Sequence, residues 1–235
     1  MGNKQKSKNK ANVKNQARKG NLVKNTNDFI NKREPYTRKE LVQILIFSII
    51  IIISTFFLYQ SVTEFDIVYC DDNIFIQDLY PINQSTESYS AVFEKTLGTS
   101  YYRPILNLSF IFDTQLSLDK QFPGTNPDLV DPRTITPEIF HWSNLIYHIL
   151  ASFLVFLFFL KLRYPIIMSF LFSLMVAVHP ILTPAVSWIS GRNDSLITIF
   201  ILLSFISMVF YFERKDFWQI IAWIFHIFFF GVALF

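Results

Sequence analysis

Residues 41–59 read LVQILIFSIIIIISTFFLY, with no Asp, Glu, Lys or Arg anywhere in the run. A helix rising about 1.5 Å per residue needs roughly 20 apolar residues to cross a hydrocarbon core of about 30 Å. This stretch is therefore a membrane span by length and composition. Residues 60–65 carry no small-x-small cleavage pattern, so the run reads as an uncleaved anchor rather than a removed signal. Four more segments approach the same length and apolarity: 141–160, 165–182, 195–212 and 217–235. The expected fold is an all-α polytopic membrane bundle of about five spans over residues 41–235, with a large loop, 60–140, after the first. Composition agrees, since 51% hydrophobic residues and 27 Phe against 6 Gly exceed what a soluble domain of 235 residues requires. The single cysteine, Cys70, excludes an intrachain disulfide and leaves the redox compartment open.

Working outward, the 40 residues before the first span carry 12 Lys/Arg against Asp28, Glu34 and Glu40. With few apolar residues to offset its chain entropy, this segment is expected to be a disordered basic tail. Its position directly before a span favours anionic lipid head groups or a topogenic role, and no nucleic-acid partner is expected. Lys/Arg bias in the loops then orients the chain. With the tail cytoplasmic, Lys161, Arg163, Arg214 and Lys215 also fall inside, placing 16 of the 21 basic residues on that side. Residues 60–140, with 12 acids and only Lys95, Arg103, Lys120 and Arg133 as bases, fall outside, as does the short loop 183–194. The last span reaches Phe235 with no polar residue after His226. The chain is accordingly expected to be truncated or part of something larger.

The polar residues that carry chemistry gather on the outer side of this topology. Asp71 and Asp72 follow the first span closely, where a carboxylate near the hydrocarbon boundary is costly unless used or paired. Such a pair offers a general base or part of a divalent-cation site, and its structural alternative is an N-cap. Tyr101-Tyr102-Arg103-Pro104 sets an arginine beside aromatics, suited to phosphate and sugar contact or to an interfacial aromatic belt. His141, Asn144 and His148 open the second span. His179-Pro180 closes the third, and Trp188-Ile189-Ser190-Gly191-Arg192-Asn193-Asp194 lies in the following loop. A lone intramembrane histidine is ordinarily a packing residue. The convergence of Asp71, Asp72, Arg103, His179, Arg192 and Asp194 on one face is what points to an outward site. Arginine and histidine suit a phosphate, aromatics a sugar or lipid, and carboxylates a hydroxyl to be activated. No P-loop, dinucleotide fingerprint, Cys/His metal spacing or nucleophile elbow occurs.

In order along the chain, Cys70-Asp71-Asp72, Tyr101-Tyr102-Arg103-Pro104, His141-x-x-Asn144-x-x-x-His148, His179-Pro180 and Trp188-x-x-Gly191-Arg192-x-Asp194 resemble the N-terminal membrane region of GT-C glycosyltransferases. The likeness is to the transmembrane and tetratricopeptide-repeat O-mannosyltransferases and their bacterial relatives, over about residues 42–212. The resemblance implies transfer of a sugar from a polyprenyl-phosphate donor to a hydroxyl acceptor at the outer or luminal face, with inversion. Mannose and protein Ser/Thr are the expected sugar and acceptor. It assigns Asp71 as general base with Asp72 beside it. Tyr102, Arg103, His179, Arg192 and Asp194 become the residues expected around the donor phosphate and substrate. No particular cofactor is implied, and a divalent metal stays open. The chain departs from these relatives in having fewer spans and no 34-residue helical repeat.

Two further readings stay open: a GT-C sibling that glycosylates a lipid or polysaccharide, and a non-catalytic anchor or transporter-like membrane protein. A transporter would carry polar residues at mid-span, where only His226 is found. The Asn/Lys/Ile/Phe-rich composition favours a bacterial inner membrane, with the endoplasmic reticulum as the alternative. Two outer-side sequons, at Asn83 and Asn107, bear on the latter.

Overall fold

The computed structural model of the chain describes residues 35–68, 71–85, 88–94 and 102–234. Within the expected basic tail, residues 1–34 lie outside the described residues. Its last residues belong to the first helix. Helix α1, Arg38–Tyr59, starts at a reciprocal cap. Glu40 Oε2 accepts from the Thr37 backbone N–H at 2.8 Å and the Thr37 hydroxyl at 2.9 Å, while the Glu40 N–H reaches Thr37 Oγ1 at 3.3 Å. A 3-10 turn, Gln60–Glu64, prolongs α1 into an apolar rod of 27 residues. In hydrocarbon only a helix satisfies its own backbone, so the β-branched isoleucines that weaken helices in water are tolerated here.

The segment expected as an outer loop is a packed layer of helical turns. Its main element is α2, Pro104–Gln121, begun by a proline whose missing N–H costs nothing at that position. Phe75, Ile76, Leu79 and Tyr80 pack against Leu106, Phe110 and Leu118 of α2, and the cluster extends to Phe140 and Ile189. Phe75 stacks on Phe110 with centroids 4.5 Å apart.

Among the described residues, the bundle continues with α3 (Glu138–Lys161), α4 (Ile166–Val178), α6 (Arg192–Glu213) and α7 (Phe217–Ala233), with the short α5 (Thr183–Ser187) between α4 and α6. α4 runs back along α3 through small residues, with Ser152, Ser169, Ser173 and Ala177 buried. There the Ser173 hydroxyl donates to the Ser152 carbonyl at 2.6 Å, and His148 Nε2 meets the Ala177 carbonyl at 3.1 Å. Ile51 of α1 joins Phe156, Leu160 and Ala177, and Phe47 stacks on Phe170 at 4.3 Å. α7 returns along α6, where the Ser204 hydroxyl lies 2.8 Å from His226 Nδ1. This helix-to-helix bond accounts for the mid-span histidine. At the C-terminal ends of α3 and α6, Lys161 and Glu213 pair at 2.7 Å with the Lys161 ammonium over the Phe210 ring.

Among the described residues, three helices are long and apolar enough to cross a membrane, or four if the bent pair Ile166–Val178 and Pro180–Ser187 forms one span. α7 is apolar but shorter, at 17 residues. The expected third span, 165–182, is therefore broken. The residue before a proline is pushed out of the helical region, and His179 sits at φ −72°, ψ 126°. The chain bends by 51° there. The expected loop 183–194 is helical over much of its length, and α6 opens at Arg192 instead of Ser195.

Candidate active site

The site forms where the N-terminal ends of α3 and α6 meet the layer that follows α1. Asn144, one turn after His141 on α3, aims its amide NH2 at the carbonyls of Val186, Trp188 and Ile189, at 3.3, 2.8 and 3.2 Å. That grip holds the turn Ile189–Gly191 just before α6. Gly191 is required by close approach. A Cβ there would stand 2.3 Å from the Pro184 carbonyl oxygen, inside any real contact.

The turn in turn anchors the carboxylate pair. Asp72 is fully buried, and its Oδ1 accepts from the Ser190 backbone N–H at 2.9 Å and the Ser190 hydroxyl at 2.6 Å. Its Oδ2 lies 3.4 Å from the Val68 N–H. Asp71, its neighbour on the three-residue helical turn Asp71–Asn73, is exposed. One carboxylate of the pair is fixed in the interior and the other is presented to the surroundings.

Arg192 takes a place other than the one expected of a phosphate ligand. It is fully buried, and each of its three nitrogens already has a protein partner. Nη1 pairs with Asp113 Oδ2 at 2.5 Å and reaches the Ser109 hydroxyl at 3.3 Å. Nη2 donates to the Phe140 carbonyl at 3.0 Å and Nε to the Ile189 carbonyl at 3.2 Å. The Phe110 ring covers it at 4.3 Å. A guanidinium so enclosed joins α2, α3 and α6 together, with four of its five N–H donors engaged in doing so. Burial pushes the Asp113 carboxyl up, while Arg192 and a 2.7 Å bond from the Ser143 hydroxyl favour its ionised form.

The remaining expected residues are spread around this core. Arg103 is exposed at the N-cap of α2, and Tyr102 beside it donates its hydroxyl to the Phe93 carbonyl at 2.9 Å. His179 is exposed at the break after α4, where its Nδ1 accepts from the Ile181 N–H at 3.2 Å. Asp194 is exposed in the first turn of α6. Asp72 and the Trp188–Asp194 motif are thus brought together through Ser190, whereas Arg103 and His179 stand at other elements, the N-cap of α2 and the break after α4. Tyr101 and Cys70 lie outside the described residues. His141 is buried at the start of α3 with its ring edge-on to Phe65 at 6.4 Å.

Several residues of the site give little signal in the sequence. Asp113 sits mid-way along a helix with no motif around it, and only Arg192's need for a buried counter-charge points to it. Ser190 lies inside the Trp-x-x-Gly-Arg block at an unspecified position. Beside the Asp71–Asn73 turn opens a cleft of about 560 Å³, lined by Asp66, Ile67, Asn73, Gln77, Arg133 and Ile135. Among the described residues, no group of three or more His, Cys, Asp or Glu side chains is placed to hold a metal ion. Both sequon asparagines are buried, Asn83 donating to the Phe75 carbonyl at 2.7 Å, so neither is open to a glycan in the folded chain. Comparison with protein-family models, with curated proteins and with solved structures gives no match for this chain.

Proposed function

We propose that the chain is a membrane glycosyltransferase, or the N-terminal part of one, that takes a sugar from a polyprenyl-phosphate donor. The observation that supports this most is the division of labour in the carboxylate pair. Asp72 is buried and held by Ser190, and Asp71 is exposed on the same turn beside an open polar cleft. In this reading Asp71 takes the proton of an acceptor hydroxyl as the oxygen attacks the anomeric carbon. The bond from that carbon to the phosphate oxygen breaks, polyprenyl phosphate leaves with the electron pair, and the configuration inverts. Asp72 positions the turn. Arg103 and His179, both exposed, are the groups assigned to the donor phosphate, and Arg192 is a framework residue.

The reading carries its topology with it: a cytoplasmic N-terminus, five spans with α7 as the last, and the carboxylate pair at the outer face of a bacterial inner membrane. Mannose and protein Ser/Thr are the proposed sugar and acceptor.

The test uses membranes from cells expressing the full-length gene product, supplied with a panel of labelled polyprenyl-phosphate sugars that includes mannose. Label that depends on expression and becomes soluble on protease digestion supports a protein acceptor. Label that stays in the lipid or polysaccharide fraction moves the assignment to a GT-C sibling with a different acceptor. No expression-dependent transfer from any donor in the panel overturns the enzymatic reading.

A further inference from the structure

The cleft beside the carboxylate pair has one wall from Asp66, Ile67, Asn73 and Gln77, and the other from Arg133 and Ile135. Its volume, about 560 Å³, falls in the ordinary range of small-ligand sites. We propose that this cleft is a saccharide-binding site, an inference that rests on the glycosyltransferase reading and names where a sugar ring is held.

The lining argues for a polyhydroxylated ligand. A carboxylate accepts from two hydroxyls, each amide both donates and accepts, and a guanidinium donates only. Asp66, Asn73, Gln77 and Arg133 together supply both halves of a hydrogen-bonding pattern, which sugar hydroxyls, each donor and acceptor at once, can complete. Ile67 and Ile135 give an apolar surface for the C–H face of the ring. Among the described residues, the side chains of Asn73, Gln77 and Arg133 have no hydrogen-bond or ion-pair partner, so their polar capacity is directed to the cleft and solvent. The Arg133 backbone, by contrast, is fixed by a 3.0 Å bond to Asp131 Oδ1, and the 3-10 turn Pro132–Thr134 starts at a proline. The cation is therefore carried on a preorganised turn. Asn73 belongs to the same three-residue turn as Asp71, so the cleft and the proposed base share one backbone element.

One ligand chemistry has two sources, the sugar head of the donor or a sugar already on the acceptor. Arg133 separates them, because only the donor head brings a phosphate for it to neutralise.

The purified full-length protein in detergent would be titrated with methyl glycosides of mannose, glucose, galactose and N-acetylglucosamine and with mannose 1-phosphate, following ligand signals by saturation-transfer NMR. Saturable binding of at least one probe is expected, weakened about tenfold or more in the double variant Asn73→Ala/Gln77→Ala, whose thermal unfolding stays at the wild-type midpoint. A selective loss of mannose 1-phosphate in Arg133→Gln identifies the donor head, and equal behaviour of both probe types identifies an acceptor sugar. Absence of binding by every probe, or double-variant affinity equal to wild type, overturns the site. Specific binding without transfer in any donor assay would keep the site and remove the glycosyltransferase reading, so the two failures are distinguishable.

Discussion

Replacing Arg192 by methionine tests the framework beneath the site. The substitution keeps a long unbranched side chain but removes the charge that Asp113 faces at 2.5 Å in a fully buried position. What remains around the Asp113 carboxylate is the Ser143 hydroxyl at 2.7 Å. Stranding one partner of a buried pair costs about 3–5 kcal/mol, the penalty of an uncompensated charge in a poorly solvated place. For a chain of this size each kcal/mol moves an unfolding midpoint by roughly 2–4 °C, so Arg192→Met should fall by roughly 6–20 °C. The carbonyls of Phe140 and Ile189 lose donors in the same step, which adds to the loss. The double variant Arg192→Met/Asp113→Leu should recover most of it, because a buried ion pair exchanged for apolar residues of similar volume is close to neutral. Thermal unfolding in detergent, followed by tryptophan fluorescence, gives all three midpoints. A single variant as stable as wild type, or a double variant no better than the single, would refute the buried pairing. It would also return Arg192 to the residues available for a phosphate.

Two neighbouring changes probe the same turn. Ser190→Ala removes the hydroxyl that Asp72 accepts at 2.6 Å and leaves the backbone N–H, so a stability loss of about 1.5–3 kcal/mol is expected in denaturant titration. A loss near zero would mean that Asp72 is not held there. Gly191→Ala puts a methyl group against the Pro184 carbonyl and should cost about 1–3 kcal/mol of overpacking. If this variant matches the wild-type midpoint, the close approach of α5 is not real.

The apolar framework was legible in the sequence because length and composition suffice to mark a membrane helix. The run 41–59 and the runs now seen in α3 and α6 follow that rule directly. The third run was over-extended, since hydropathy does not register that His179 precedes a proline and must leave the helix. The layer between α1 and α3 was hidden for a different reason. Its helix α2 has a mixed face pattern containing Asp113, Thr114 and Ser117, which reads as polar loop until their partners are known. In the site, sequence order alone brought Asp72 and the Trp188–Asp194 motif onto one side of the bundle. It could not tell exposed from buried, and this is why Arg192 was expected beside a phosphate when it is fully buried and four of its five N–H donors go to Asp113, Ser109 and two carbonyls. Asp66, Asn73, Gln77 and Arg133 carry no local signal at all, because the cleft they line is made by two segments more than 50 residues apart in the chain.

The most direct measurement is the rate of sugar transfer by Asp71→Asn in membranes where its level and unfolding midpoint match the wild type. Asp71 is exposed and anchors nothing in the interior, so the fold should survive the change. The account predicts a loss of about 10²-fold or more, the size of a missing general base. Transfer at the wild-type rate would contradict it.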